Sequence, residues 1–246
     1  LALAAIILLT GTAYLNSMSA PFVLDDAVTV VKNQEVRSMS VLQDISLSPL
    51  SRSLTAASYG LNVWYGGLSV ESFHVVNIAI HLLNVILVYW LCRKLALSSW
   101  ATVVTASLFA LHPIQTESVT YITGRAEMLA VTFVLLGLIA FHRESFWKWP
   151  VIFICGWLAL LAKPTGIYLP VLLAGFMVFH YGMVRAIPFL AAGVLGGLWI
   201  GSRFFWTIPL SFETAVNWIG LQSVVFYKYL FLFIWPSQSF DWGPID

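Results

Sequence analysis

Two adjacent carboxylates, Asp25 and Asp26, follow the first apolar run of the chain by a few residues. Acids that close to lipid are costly to desolvate unless they are paired or used. One could take a proton from an acceptor hydroxyl while the other hydrogen-bonds or steers it, as neighbouring acids do when their environments differ. A metal site is the rival role, and a solvated cap or turn is the plain structural one. A second polar group falls where His112-Pro113-Ile114-Gln115-Thr116-Glu117 ends one apolar run and Gly124-Arg125-Ala126-Glu127 opens the next. His112 and Glu117 could bind or orient a sugar or acceptor hydroxyl, and the fork of donors on Arg125 suits a phosphate oxygen. Helix capping by Thr116 and Glu117 and a pairing of Arg125 with Glu127 are the structural alternatives.

Ala162-Lys163-Pro164-Thr165-Gly166 separates two further apolar runs and sets one lysine at or below the hydrocarbon boundary. A lipid phosphate would satisfy that ammonium, and a snorkelling side chain in an ordinary turn is the alternative. His74, Asn77, His81 and Asn84 recur at spacings of 3, 4 and 3, drawing a polar stripe down an otherwise apolar helix. Interhelical hydrogen bonding accounts best for His81 and Asn84, whereas His74 lies near the helix end and could line a cavity. Cys92 and Cys155 lie in or beside apolar runs and make neither a zinc site nor a disulfide framework. Trp147 and Trp149 read as interfacial anchors.

The elements that must position these groups are membrane helices. Of 246 residues, 60% are hydrophobic, 15% aromatic and 9% charged, and the mean hydropathy is +0.88, far from the composition of a soluble domain. Apolar runs at about 1–19, 72–92, 100–111, 128–141, 149–162, 166–180 and 187–206, with a further one at 216–235, predict an all-α, polytopic helix bundle of seven or eight apolar helices in a single membrane domain spanning 1–246. Two runs, 100–111 and 149–162, are shorter than a full span, so polar motifs at their ends are expected in a cavity sunk below the membrane surface. The connection 20–71 reads as a long outer loop with patchy apolar residues that lie along the interface. A net charge of +1 gives no field for gathering nucleic acid.

Alternation of spans groups the loops 20–71, 112–127, 163–165 and 207–215 on one side, with 93–99, 142–148 and 181–186 opposite. The second set carries Arg93, Lys94, Arg143, Lys148 and Arg185 in short connections and is expected to be cytoplasmic. Every carboxylate except Glu144 then maps to the outer face, if the segment after Pro236 stays there. A transporter is one rival to an enzyme, supported by the polar stripe but opposed by acids that crowd one face instead of the midplane. A noncatalytic membrane subunit of a larger assembly is the other.

Several strings in order resemble one family: Phe22-Val23-Leu24-Asp25-Asp26, Ser51-Arg52-Ser53-Leu54 with Leu61-Asn62, Phe73-His74-Val75-Val76-Asn77 with His81-Leu82-Leu83-Asn84, Leu111-His112-Pro113 with Thr116-Glu117-Ser118-Val119 and Gly124-Arg125, Leu161-Ala162-Lys163 with Leu169-Pro170, and Trp235-Pro236 with Phe240-Asp241-Trp242. They are similar to the transmembrane, tetratricopeptide-repeat-containing O-mannosyltransferases and their microbial relatives, which have the GT-C membrane fold. The resemblance implies a polyprenyl- or dolichyl-phosphate-linked sugar as donor and a protein Ser or Thr hydroxyl as acceptor, with inversion at the anomeric carbon. It implies Asp25 as general base with Asp26 as its partner, and Lys163 near the donor phosphate, with Lys228 as a looser second cation. Arg125, His112, Glu117, Arg52 and His74 complete the expected substrate-binding set. No cofactor is required on this reading, although the acid pair with a nearby His or Glu could hold a divalent ion. The expected partners are membrane lipid, the lipid-linked sugar, a protein acceptor and further membrane subunits; the expected location is a microbial plasma membrane, rather than the endoplasmic reticulum, with the site on the non-cytoplasmic face. The chain departs from the family pattern at Pro164, where an acidic residue is usual, and at Ser53, where a proline is usual, and this segment carries no tetratricopeptide repeats.

Overall fold

The computed structural model describes residues 1–43, 48, 51–205 and 212–235. Among the described residues there is no strand; α-helices are joined by turns and short 3₁₀ and π segments. Helix α1 (Ala2–Tyr14) ends in a 3₁₀ turn. A π turn over Ala27–Val31, α2 (Gln34–Arg37), a 3₁₀ turn over Ser40–Leu42 and α3 (Ser53–Gly66) follow. Then come α4 (Val70–Lys94), α5 (Ser99–Leu111), α6 (Gln115–Thr120), α7 (Arg125–Phe141), α8 (Lys148–Ala162) and α9 (Tyr168–Tyr181). Helices α10 (Met183–Phe205) and α11 (Phe212–Ile234) close the described chain. The Phe240-Asp241-Trp242 string and Pro236 lie outside the described residues.

Three helical stretches, Val70–Lys94, Ile122–Phe141 and Met183–Ser202, are long and apolar enough to cross a membrane. The first has 25 residues and reaches about 37 Å at the helical rise, so it joins the two ends of the bundle. Its ends are marked in the sequence. Ser69 caps the N-terminus by accepting from the Ser72 N–H, Glu71 lies in the first turn, and Arg93 and Lys94 lie in the last, each charge complementing the helix dipole. Helices α5 and α8 have 13 and 15 residues, as their short apolar runs predict.

The chain divides into two compact units, 1–200 and 201–246. In the first, α7 is the central helix, packed against α8 and α4, with α5 and α1 on the far side of α4. Val134, Leu138, Ile152, Ala159, Leu169 and Leu173 form the core between α7, α8 and α9. A helix buried on nearly all sides can be apolar on nearly all sides, and α7 is so along most of its length. The second unit holds the end of α10 and α11, whose exposed Phe226, Tyr227 and Phe233 give it an apolar surface.

Within the connection 20–71, expected as an outer loop with patchy apolar residues along the interface, α3 packs against α8 and α4. It buries Ser53, Thr55, Ala57, Tyr59, Gly60 and Asn62 while exposing Leu61, Trp64 and Tyr65. Its inner face is small and polar, so hydropathy alone passes over it; its outer face is the lipid-like one.

Candidate active site

Leu24 has φ 47°, the left-handed region that a branched apolar residue occupies only when its surroundings force it. The two acids beyond that bend have different fates. Asp26 is 1% exposed and accepts from the Val23 N–H at 3.1 Å and the Thr123 N–H at 2.9 Å, one through each oxygen. It therefore braces its own turn against the 3₁₀ turn that leads into α7. Asp25 is exposed; its backbone N–H donates to Tyr121 Oη at 2.9 Å, fixing the main chain while the carboxylate faces outward. One acid is structural and the other is available.

The segment 121–127 that receives Asp26 is held from behind by Asn77, whose Nδ2 donates to the carbonyls of Val119, Tyr121 and Ile122 at 3.2–3.3 Å. Asn77 Oδ1 accepts in turn from Arg125 Nε at 2.7 Å. The Arg125 guanidinium also donates to Asn62 Oδ1 at 2.8 Å, the Phe73 carbonyl at 3.1 Å and the Ser58 carbonyl at 3.2 Å, and it lies over the Tyr59 and Phe73 rings. No part of it reaches solvent. The role expected for Arg125, a donor to a substrate phosphate, needs an accessible fork; here the fork ties α3 and α4 to the start of α7, so Arg125 acts as a positioning residue. The alternative pairing of Arg125 with Glu127 is not formed either.

Glu127 instead pairs with Lys163, and its second oxygen accepts from Thr165 Oγ1 at 2.9 Å. Lys163 is 27% exposed, and its ammonium has donors left after the Glu127 contact. The turn that carries it is tight: a Cβ on Gly166 would collide with the backbone of Ala159 and Leu160, and one on Gly124 would collide with the Ser118 carbonyl. Thr55 Oγ1 donates to the Ala162 carbonyl at 2.9 Å, anchoring α3 to this turn. Asp26 and Lys163 are thus both fastened to the stretch 123–127, one at each end of it.

The other expected residues serve varied ends. His74 is 1% exposed and its Nε2 lies 3.0 Å from the Ala20 carbonyl, a contact that requires the proton on Nε2. His112 is half-buried and its Nδ1 accepts from the Ile114 N–H at 3.2 Å, closing the turn at Pro113. Glu117 is exposed on α6. Arg52 is exposed at the N-terminus of α3 with φ 50°, where the helix dipole disfavours a cation unless an anion is near. Lys228 lies on α11 in the second unit. His81 and Asn84, read as interhelical, bond the Ala110 and Met128 carbonyls. Sequence reasoning gave no role to Tyr59, Asn62, Tyr121 or Thr165, and it did not pair Lys163 with Glu127; Asn62 and Thr165, each within a quoted string, carried the only signal.

Among the described residues, three buried polar atoms at this end, Ser53 Oγ, His74 Nδ1 and Thr123 Oγ1, have no hydrogen-bond partner. Among the described residues no three His, Cys, Asp or Glu side chains come together as metal ligands. The metal role weighed for the acid pair also meets the difficulty that both Asp26 oxygens accept from backbone N–H groups.

Comparison with known proteins points in the same direction as the motifs. The chain is 28% identical to protein O-mannosyl-transferase tmtc2 of Xenopus laevis over 94% of its own length and 34% of that protein. The chain is similar to the TMTC protein O-mannosyl-transferases. It is 34% identical to protein O-mannosyl-transferase Tmtc2 of Drosophila melanogaster over 55% of its length and 16% of the relative, and 30% identical to human protein O-mannosyl-transferase TMTC4 over 63% and 26%. The chain spans about a third or less of the length of these curated relatives. No family model and no solved structure matches it.

Proposed function

We propose that this TMTC-like chain carries the catalytic membrane part of a protein O-mannosyltransferase, moving mannose or another hexose from a polyprenyl-phosphate donor to a protein Ser or Thr hydroxyl on the non-cytoplasmic face of a microbial plasma membrane. The observation that carries this reading is the unequal acid pair: Asp26 is spent on two backbone N–H groups while Asp25 next to it is exposed. A base needs an accessible carboxylate on a fixed backbone, and Asp25 has both.

On this reading Asp25 takes the hydroxyl proton as the acceptor oxygen forms its bond to the anomeric carbon from the face opposite the leaving group. The bond from that carbon to the phosphate oxygen breaks, the configuration inverts, and the departing lipid phosphate keeps the electron pair. Lys163, held by Glu127 and Thr165, offers its remaining ammonium donors to that phosphate, and Arg52 adds an exposed cation at a helix start. Arg125 and Asn77 touch neither substrate; they hold the stretch 121–127 to which both acid and lysine are fastened.

The test is glycosylation of cellular proteins, read by intact mass, in a strain lacking the protein and complemented at matched expression. Wild type restores the hexose and Asp25→Asn does not. If Asp25→Asn restores it equally, Asp25 is not the base; if deletion changes no mass, the noncatalytic-subunit reading takes its place.

A further inference from the structure

At the end of the bundle opposite Asp25, the structure has a cavity of about 570 Å³ lined by Lys94, His142, Arg143, Glu144, Trp147 and Lys148. Lys94 ends α4, Arg143 follows α7 and Lys148 opens α8, so three separate helix ends bring three cations to one space against a single carboxylate. Among the described residues, none of the three has an acid within ion-pair distance. The positive-inside tendency explains basic residues at this end but not their convergence. Arg93 and Arg185 satisfy that tendency elsewhere: Arg93 donates to Ser99 Oγ and Arg185 lies over the Tyr181 ring. Cations gathered around one cavity repel one another unless an anion fills it.

The surroundings say which kind of anion. Phe146 is 78% and Trp147 73% exposed, aromatic residues of the sort that sit at headgroup depth. Lys148 is held by its own end of the protein, its ammonium 5.3 Å from the Phe141 ring centre and 5.2 Å from that of Trp149. The helix it opens presents exposed Phe153 and Ile154, a surface suited to acyl chains. We propose that this cavity binds the headgroup phosphate of an anionic membrane lipid. The site is separate from the proposed transfer chemistry and does not depend on it.

The full-length protein, reconstituted in phosphatidylcholine nanodiscs and titrated with phosphatidylglycerol, is read by native mass spectrometry for retained lipid. Wild type and Arg185→Gln retain phosphatidylglycerol, and the Lys94→Gln, Arg143→Gln, Lys148→Gln triple variant loses it, with affinity falling roughly fivefold for each charge removed. Equal retention by all three proteins, or equal loss from the triple variant and Arg185→Gln, overturns the proposal. So does a site that takes inorganic phosphate in the same titration and no phosphatidylglycerol, since the anion is then a soluble one. Melting curves in phosphatidylcholine alone, expected to coincide, confirm that the variants fold. Arg143→Gln by itself, on an exposed connection, shows a graded loss and tests the site without the other two changes; retention equal to wild type in that variant counts against the proposal.

Discussion

Arg125 has the fork that binds phosphate, and the same fork binds two asparagine side chains and two carbonyls in a dry interior. Nothing in Gly124-Arg125-Ala126-Glu127 separates these uses, because the partners lie on α3 and α4, about 50 or more positions away. Replacing Arg125 with Met leaves four buried acceptors without their donor and is expected to cost about 3–5 kcal/mol, seen as a lowered melting temperature in detergent. Asp25→Asn is expected to leave the same curve unchanged, which separates a positioning residue from the proposed base. Tyr59, beside that guanidinium, is buried, and burial pushes its phenol up from its ordinary value of about 10. As pH rises past about 10 the unfolded chain gives up this proton and the folded one does not, so stability falls with rising pH there. Alkaline unfolding of wild type is therefore steeper than that of Tyr59→Phe.

At the scale of elements, the long apolar helices were legible because their composition is one-sided: α4, α7 and α10 coincide with their runs, and α5 and α8 are as short as predicted. Helix α3 was not legible, since its buried face of Ser53, Thr55, Tyr59 and Asn62 has the composition of a loop. The Lys163 to Glu127 pair was hidden for a related reason, two polar residues 36 positions apart that only the packing of α8 on α7 brings together. The turns between elements are as demanding as the helices. Gly124→Ala and Gly166→Ala each set a methyl against backbone, which cannot move as a side chain can, and both are expected to lower the melting temperature and the hexose transfer together. Gly197→Ala, with nothing near its added methyl, is neutral or stabilising by about 0.5–1 kcal/mol.

For the whole first unit, polarity is sorted by end. The exposed acid, the Lys163 turn and the unpartnered Ser53, His74 and Thr123 atoms lie toward the start of α4 and α7, and the three converging cations lie toward their other ends, with Thr102. This sorting makes orientation measurable. Cys92 and Cys155 are buried, so a cysteine placed at exposed Thr116 or exposed Glu144 gives the dominant signal with a membrane-impermeant maleimide. Thr116→Cys is expected to react from the non-cytoplasmic side and Glu144→Cys from the cytoplasmic side; the reverse pattern inverts the proposed topology. The Asp26 brace also has a meaning for biogenesis. Its two amide partners are separated by about 100 residues of chain, so the acid pair is synthesised long before Thr123 exists. A nascent chain halted in α5 would display Asp25 and Asp26 on an unbraced tether, and the site would be born only when α7 enters the bilayer. On the proposed reading, catalytic competence is a checkpoint on insertion, withheld from every chain whose central helix has failed to arrive.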